Sequence, residues 1–107
     1  MSHKDLTLKH WQKYNFLGQL ANIGSEVFRT LLWKKKDQKI SRQAFERSLE
    51  LFDLTSKTDL SYPRLKELRR AREAWCDFVA GENKYHTTTK QWENYFYQFN
   101  YAANINK

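Results

Sequence analysis

Four stretches of this chain place apolar side chains at helical spacing, with only short polar connections between them. The first carries Phe16, Leu17, Leu20, Ile23, Gly24, Val27 and Leu31, which at 100° per residue fall within an arc of roughly 120°. The second carries Ala44, Phe45, Ser48, Leu49, Leu51, Phe52 and Thr55. The third carries Leu65, Leu68, Arg72, Trp75, Cys76 and Val79, and the fourth Trp92, Tyr95, Phe96, Phe99 and Ala103. A stripe of this kind has to be buried against another element, and short connections make successive helices antiparallel neighbours. The expected fold is therefore all-α: an antiparallel up-and-down four-helix bundle, with residues 1–14 as a short N-terminal arm or helical turn. At 107 residues the chain has apolar surface for one core, so 1–107 reads as a single domain. Three glycines and one proline are too few for a β fold built on tight turns.

The helix ends have signals of their own. Asn15 can cap the first helix, which should end between Lys34 and Asp37, where lysines meet the negative end of the helix dipole. Ser41 reads as the cap of the second helix, and Thr55 to Ser61 as a polar connection. Ser61-Tyr62-Pro63 opens the third helix, because proline in a first turn removes only an amide without a partner. Gly81 is placed to end that helix in the left-handed conformation. Thr88 and Gln91 form a capping-box pair for the last helix. Gly24, inside an apolar stripe, implies that a neighbouring helix approaches closely there.

Two placements break the pattern. Arg72 falls near the centre of the third apolar stripe, where a guanidinium must reach solvent or find a carboxylate; Glu26 and Asp53 are the candidates. On the first helix, Asn22, Glu26, Arg29 and Trp33 line a polar stripe opposite the core. A tryptophan beside an arginine and a glutamate there reads as a contact surface, or else Trp33 folds over the helix end to cover the following loop.

The chemistry-bearing residue types do not assemble into a motif. His3, His10 and His86 lie far apart, with no His-x-x-x-His or Glu-x-x-His spacing, so no metal site is expected. Cys76, the single cysteine, excludes an internal disulfide and sits among apolar neighbours, where a thiol packs and does not attack. Three scattered glycines make no phosphate-cradling loop. No catalytic residue and no cofactor is expected, and the chain reads as a non-enzyme. Residues Met1 to Asp5 lead into no apolar run, and no stretch approaches the ~18 apolar residues of a membrane span. A soluble, cytoplasmic protein without a membrane partner is the expectation.

In size and basic helical layout the chain resembles the HEPN family of ribonucleases and nucleotide-binding partners. Its ribonuclease members place an Arg and, a few residues later, a His on the last helix. Here His86 precedes the last helix and no arginine follows Arg72, so the resemblance implies architecture and not nuclease activity.

Nineteen Lys and Arg oppose twelve Asp and Glu, a net charge of +7 that favours nucleic acid, an anionic membrane surface or an acidic protein partner, or else serves plain solubility. Lys4, Lys9 and Lys13 mark the N-terminal segment. Lys34, Lys35, Lys36, Lys39 and Arg42 crowd the first interhelical turn, and Arg64, Lys66, Arg69, Arg70 and Arg72 load the start of the third helix. In an antiparallel bundle these last two groups sit at opposite ends, which suits a long polyanion touched at several phosphates. Aromatics in excess of the core point the same way: Tyr97 and Tyr101 face away from it, and Trp11, Trp33 and Tyr85 have no assigned core position. Exposed aromatics near arginines stack unpaired bases, so RNA is favoured over DNA. In size, charge and layout the chain is similar to the Avd accessory proteins of diversity-generating retroelements, which implies a non-catalytic subunit beside a nucleic-acid enzyme. The alternative is a protein-interaction module or homo-oligomer, with Glu26, Arg29, Trp33, Tyr97 and Tyr101 in the interface and the lysines maintaining solubility.

Overall fold

The structure, a computed structural model, describes residues 8–11 and 14–104. It is an all-α, antiparallel up-and-down four-helix bundle preceded by a single helical turn. The turn, α1, spans Leu8–Trp11; the bundle helices are α2 (Phe16–Trp33), α3 (Gln38–Ser56), α4 (Tyr62–Ala80) and α5 (Thr89–Asn104). Helix α2 packs along both α3 and α5, α4 lies against α3, and α4 meets α5 through large rings. Lys4 and Lys13 fall outside the described residues.

The apolar stripes converge on one core. Trp75 is fully buried at its centre, with the Phe45 ring of α3 6.0 Å away and the Trp92 ring of α5 5.2 Å away, centroid to centroid. Phe52, Phe96, Ile23 and Val27 are other fully buried apolar side chains of this core. Gly24 marks where α2 and α5 come closest. A Cβ built there would stand 2.9 Å from the Cβ of Phe96, so the missing side chain is what lets these helices touch.

Three tryptophans bury an indole N–H, and each finds a hydroxyl. Trp11 donates to Thr55 (2.8 Å), Trp75 to Ser48 (2.9 Å) and Trp92 to Thr87 (2.9 Å). A buried N–H left without such an acceptor costs about 1–3 kcal/mol. The Ser and Thr residues among the core positions of α3 are thus explained by the rings opposite them. Trp11, which has no obvious core position in the sequence, is a core residue at 2% exposure. It is held further by Gln19, whose side-chain amide donates to the carbonyls of Trp11 and Tyr14.

Several helix ends differ from expectation. Helix α3 begins at Gln38 and not after Ser41, because Asp37 accepts from the backbone N–H groups of Lys39 and Ile40. Ser41 therefore lies one turn inside the helix, buried, its hydroxyl donating across to the carbonyl of Thr30 in α2 (2.8 Å). At its C-terminus α3 runs through Thr55 to Ser56, shortening the connection to α4. Gly81 ends α4 in an extended conformation (φ −107°, ψ −154°) and not a left-handed one. Among the described residues the left-handed ones are Asn83 and His86, both at φ 54°. Asn83 pays for its conformation with side-chain bonds to the backbone N–H and C=O of Thr87, 3.0 Å each. Asn15 caps α2 through Gly18 N–H, and Thr88 and Gln91 cap α5 reciprocally, as their spacing predicts.

Arg72 is not at the centre of its stripe. Three residues before Trp75, it is turned about 60° around α4 toward α3. Its Nε donates to Asp53 at 2.9 Å, with the guanidinium side chain 38% exposed. Of the two candidate carboxylates Asp53 is the partner, and Glu26 instead pairs with Arg47 of α3 at 3.3 Å.

Candidate nucleic-acid interface

Helix α2 stops at Trp33, and the backbone N–H groups of Lys36 and Asp37 both fold back onto the Trp33 carbonyl. The chain then reverses into α3 within four residues, from Lys34 to Asp37. This tight turn is why the basic cluster is dense. Lys34, Lys35, Lys36, Lys39 and Arg42 are all exposed at one end of the bundle. The single carboxylate among them, Asp37, is engaged in capping α3.

Directly beside this turn, where the end of α2, the start of α3 and the end of α4 meet, lies a cavity of about 380 Å³. Leu31, Phe45, Phe78 and Val79 give it an apolar, half-buried floor; exposed Lys34, Gln38, Arg42 and Ala80 form its rim. Ser41 and Thr30 also line it, but their mutual hydrogen bond occupies the serine hydroxyl. The Lys34 ammonium sits 4.8 Å over the centroid of the Phe78 ring. At an exposed site such a contact is worth about 0.5–1 kcal/mol, less than the ~1–3 kcal/mol of a base stacked on an aromatic ring. A planar ligand can therefore replace the lysine on that ring and leave its charge at the rim.

The second basic group is less concentrated. Arg64 folds back at the opposite end of the bundle, its guanidinium carbon 4.7 Å over the Phe16 ring. Lys66, Arg69 and Arg70 lie within about 100° of one another on the outer face of α4, away from Trp75. All four are exposed. Arg70 also borders a shallow groove between α4 and α5, floored by Ala71, Trp92 and Tyr95. There the Tyr95 hydroxyl donates to Glu67 (2.8 Å). Burial first, and then this bond to a carboxylate, push the phenol well above its usual titration range.

Compared with protein-family models, with curated proteins and with solved structures, the chain matches none.

Of the residues expected in an interface, the structure gathers only some. Tyr97 and Tyr101 are exposed and one turn apart on the outer face of α5. Trp33 is only partly exposed, with the Lys36 ammonium 5.8 Å from its ring, so it covers the turn at the basic end. Since Gly24 faces Phe96, antiparallel α2 and α5 place Trp33 and Tyr101 about 20 Å apart along the bundle axis. Arg29 is exposed on the outer side of α2, whereas Glu26 is turned into the α2–α3 seam by Arg47. These five residues do not form one patch.

Phe78 is the residue that sequence periodicity passes over. It follows Trp75 by three positions and so shares its face of α4 (ring planes 28° apart), but it lies one turn beyond the core and ends as the aromatic floor of a cavity. Among the described residues there is no group of three or more His, Cys, Asp or Glu that could hold a metal, and no helix long and apolar enough to cross a membrane. The Cys76 thiol is half-buried. Burial pushes its pKa above the ordinary 9.0, and the adjacent Arg72 guanidinium pulls it only partly back.

Proposed function

We propose that this protein is a non-catalytic, cytoplasmic nucleic-acid-binding subunit, with RNA preferred over DNA, which works beside an enzyme acting on that nucleic acid. The observation that carries the proposal is the basic end: five exposed cations on the α2–α3 turn and the start of α3, bordering a cavity floored by two phenylalanines. Cations alone are a solvated surface; cations grouped around accessible aromatic faces are the arrangement that holds phosphates and bases together. Arg64, Lys66, Arg69 and Arg70 extend the positive surface along α4, so one strand has contacts at both ends of the bundle. The accessory role follows from the similarity in size, charge and layout to the Avd proteins.

The test is RNA retardation and fluorescence anisotropy across a salt series. Affinity should fall steeply as salt is added, and the triple reversal Lys34→Glu, Lys35→Glu, Lys36→Glu should weaken binding on every sequence. Absence of any RNA or DNA binding at low salt would overturn the proposal.

A second function is supported by Tyr97 (64% exposed) and Tyr101 (61% exposed) on one face of α5. Protein interfaces favour such side chains, and the partner would be a second copy of the chain or an acidic protein. Light scattering decides between monomer and homo-oligomer, and Tyr101→Ala should dissociate an oligomer built on this face.

A further inference from the structure

We infer that the cavity at the basic end receives one unpaired nucleobase, with the adjoining phosphate on Lys34 and Arg42, and that the protein thereby selects single strands over duplexes. The inference rests on the proposal that this end is a nucleic-acid interface, and it adds what the interface reads.

The cavity is the size of one nucleoside. At about 380 Å³ it lies near the lower end of small-ligand pockets, room for a heterocycle and its sugar but not for a large cofactor. Its floor is next. Phe78 is supported by Trp75 lying nearly parallel to it, so it is held as a fixed platform by the core. Phe45 adds a second aromatic wall and itself packs on Trp75. The chemistry of the rim completes the fit. Lys34 already contacts the Phe78 ring through its ammonium; stacking by a base is the stronger contact, so the base displaces it toward the phosphate. Arg42 supplies a second cation on the same rim.

The polar groups lining the cavity are largely committed within the protein. The Ser41 hydroxyl donates to Thr30, and the Gln38 side-chain amide donates to the Lys34 carbonyl at 2.8 Å. The cavity therefore offers ring faces and few hydrogen-bonding edges, which favours base-tolerant stacking over sequence readout. A paired base cannot enter, because both its faces are covered within the helical stack.

The experiment compares three probes: a single-stranded RNA, the duplex of the same strand, and adenosine 5′-monophosphate. Affinities are measured by anisotropy at one salt concentration, with a 2-aminopurine-containing strand to report stacking. The single strand should bind roughly tenfold more tightly than the duplex, with quenched 2-aminopurine emission. Gln38→Trp, which fills the cavity from an exposed rim position, should bring the single strand down to the duplex level and restore the emission. Ala80→Trp fills it from the opposite rim and serves if the first variant misfolds by circular dichroism. Lys35→Glu, outside the cavity, should weaken both polymers equally.

Equal affinity for strand and duplex, or a strand preference that survives both filling variants, overturns the inference and leaves the broader nucleic-acid proposal standing. If neither polymer binds, that broader proposal falls. The mononucleotide then decides the cavity: resonance shifts at Phe45 and Phe78 on adding it keep a nucleobase site for a free nucleotide and overturn its part in strand selection, and no shifts overturn the inference whole.

Discussion

The indole N–H of Trp75 donates to the hydroxyl of Ser48, 2.9 Å away across the α3–α4 seam, with both side chains fully buried. One hydroxyl thus decides whether the one fully buried indole can sit at that depth. Replacing it leaves the N–H with neither protein nor water to accept it. Ser48→Ala is expected to destabilise the fold by about 1–3 kcal/mol, although alanine is the better helix former. In thermal unfolding that is a drop of roughly 4–8 °C for each kcal/mol. An unchanged midpoint would show that the bond contributes nothing.

Gly24→Ala sets helix propensity against packing. Alanine gains up to about 1 kcal/mol in a helix interior, but its Cβ would stand 2.9 Å from the Cβ of Phe96, an atom tied to backbone that cannot swing aside. Overpacking of this kind costs about 1–3 kcal/mol, so a net loss of up to about 2 kcal/mol is expected in denaturant unfolding. A stabilised Gly24→Ala protein would mean that α2 and α5 separate easily.

The loop after α4 should respond to acid through Asp77. Its carboxyl titrates below the ordinary 3.8, chiefly because it accepts from the backbone N–H of Lys84 and also of Tyr85 (3.1 Å). A carboxyl with a depressed folded pKa contributes fully above the unfolded value and loses that contribution as pH falls through the folded one. The stabilisation is therefore complete above about pH 4 and fades below it. Asp77→Asn should flatten this part of the stability profile between neutral and strongly acidic pH. Parallel profiles for the two proteins would argue against the loop contact.

Lys35 stands on the basic turn clear of the cavity, and its contribution to RNA binding should be electrostatic alone. Lys35→Ala is expected to lower the slope of log affinity against log salt by roughly 0.7 for a single strand, the value of one phosphate contact. A fall in affinity with an unaltered slope would assign it a different role.

The bundle itself was legible because each helix carries its own apolar stripe and its own end signals. Asn15, and Thr88 with Gln91, act where local spacing places them, since a cap bonds within three residues. Non-local relationships were not legible. Ser41 looks like a cap, yet its hydroxyl serves Thr30, eleven residues away, and Asp37 takes the capping role. Trp11 has no periodic neighbours, so only the Thr55 hydroxyl and the folded bundle reveal it as core. The basic residues of the site could be read from charge density, but the cavity beside them could not. It exists only because the last turn of α4 brings Phe78 beneath Lys34, a meeting of residues forty-four positions apart.

The distribution of indoles gives the protein a built-in optical sensor. Trp11, Trp75 and Trp92 are buried, each tied to a hydroxyl, so their emission reports chiefly on the folded state. Trp33, at the end of α2 with Lys36 beside its ring, is the partly exposed one of the four. Quenching confined to this single fluorophore would signal occupancy of the basic end without any label and separately from unfolding.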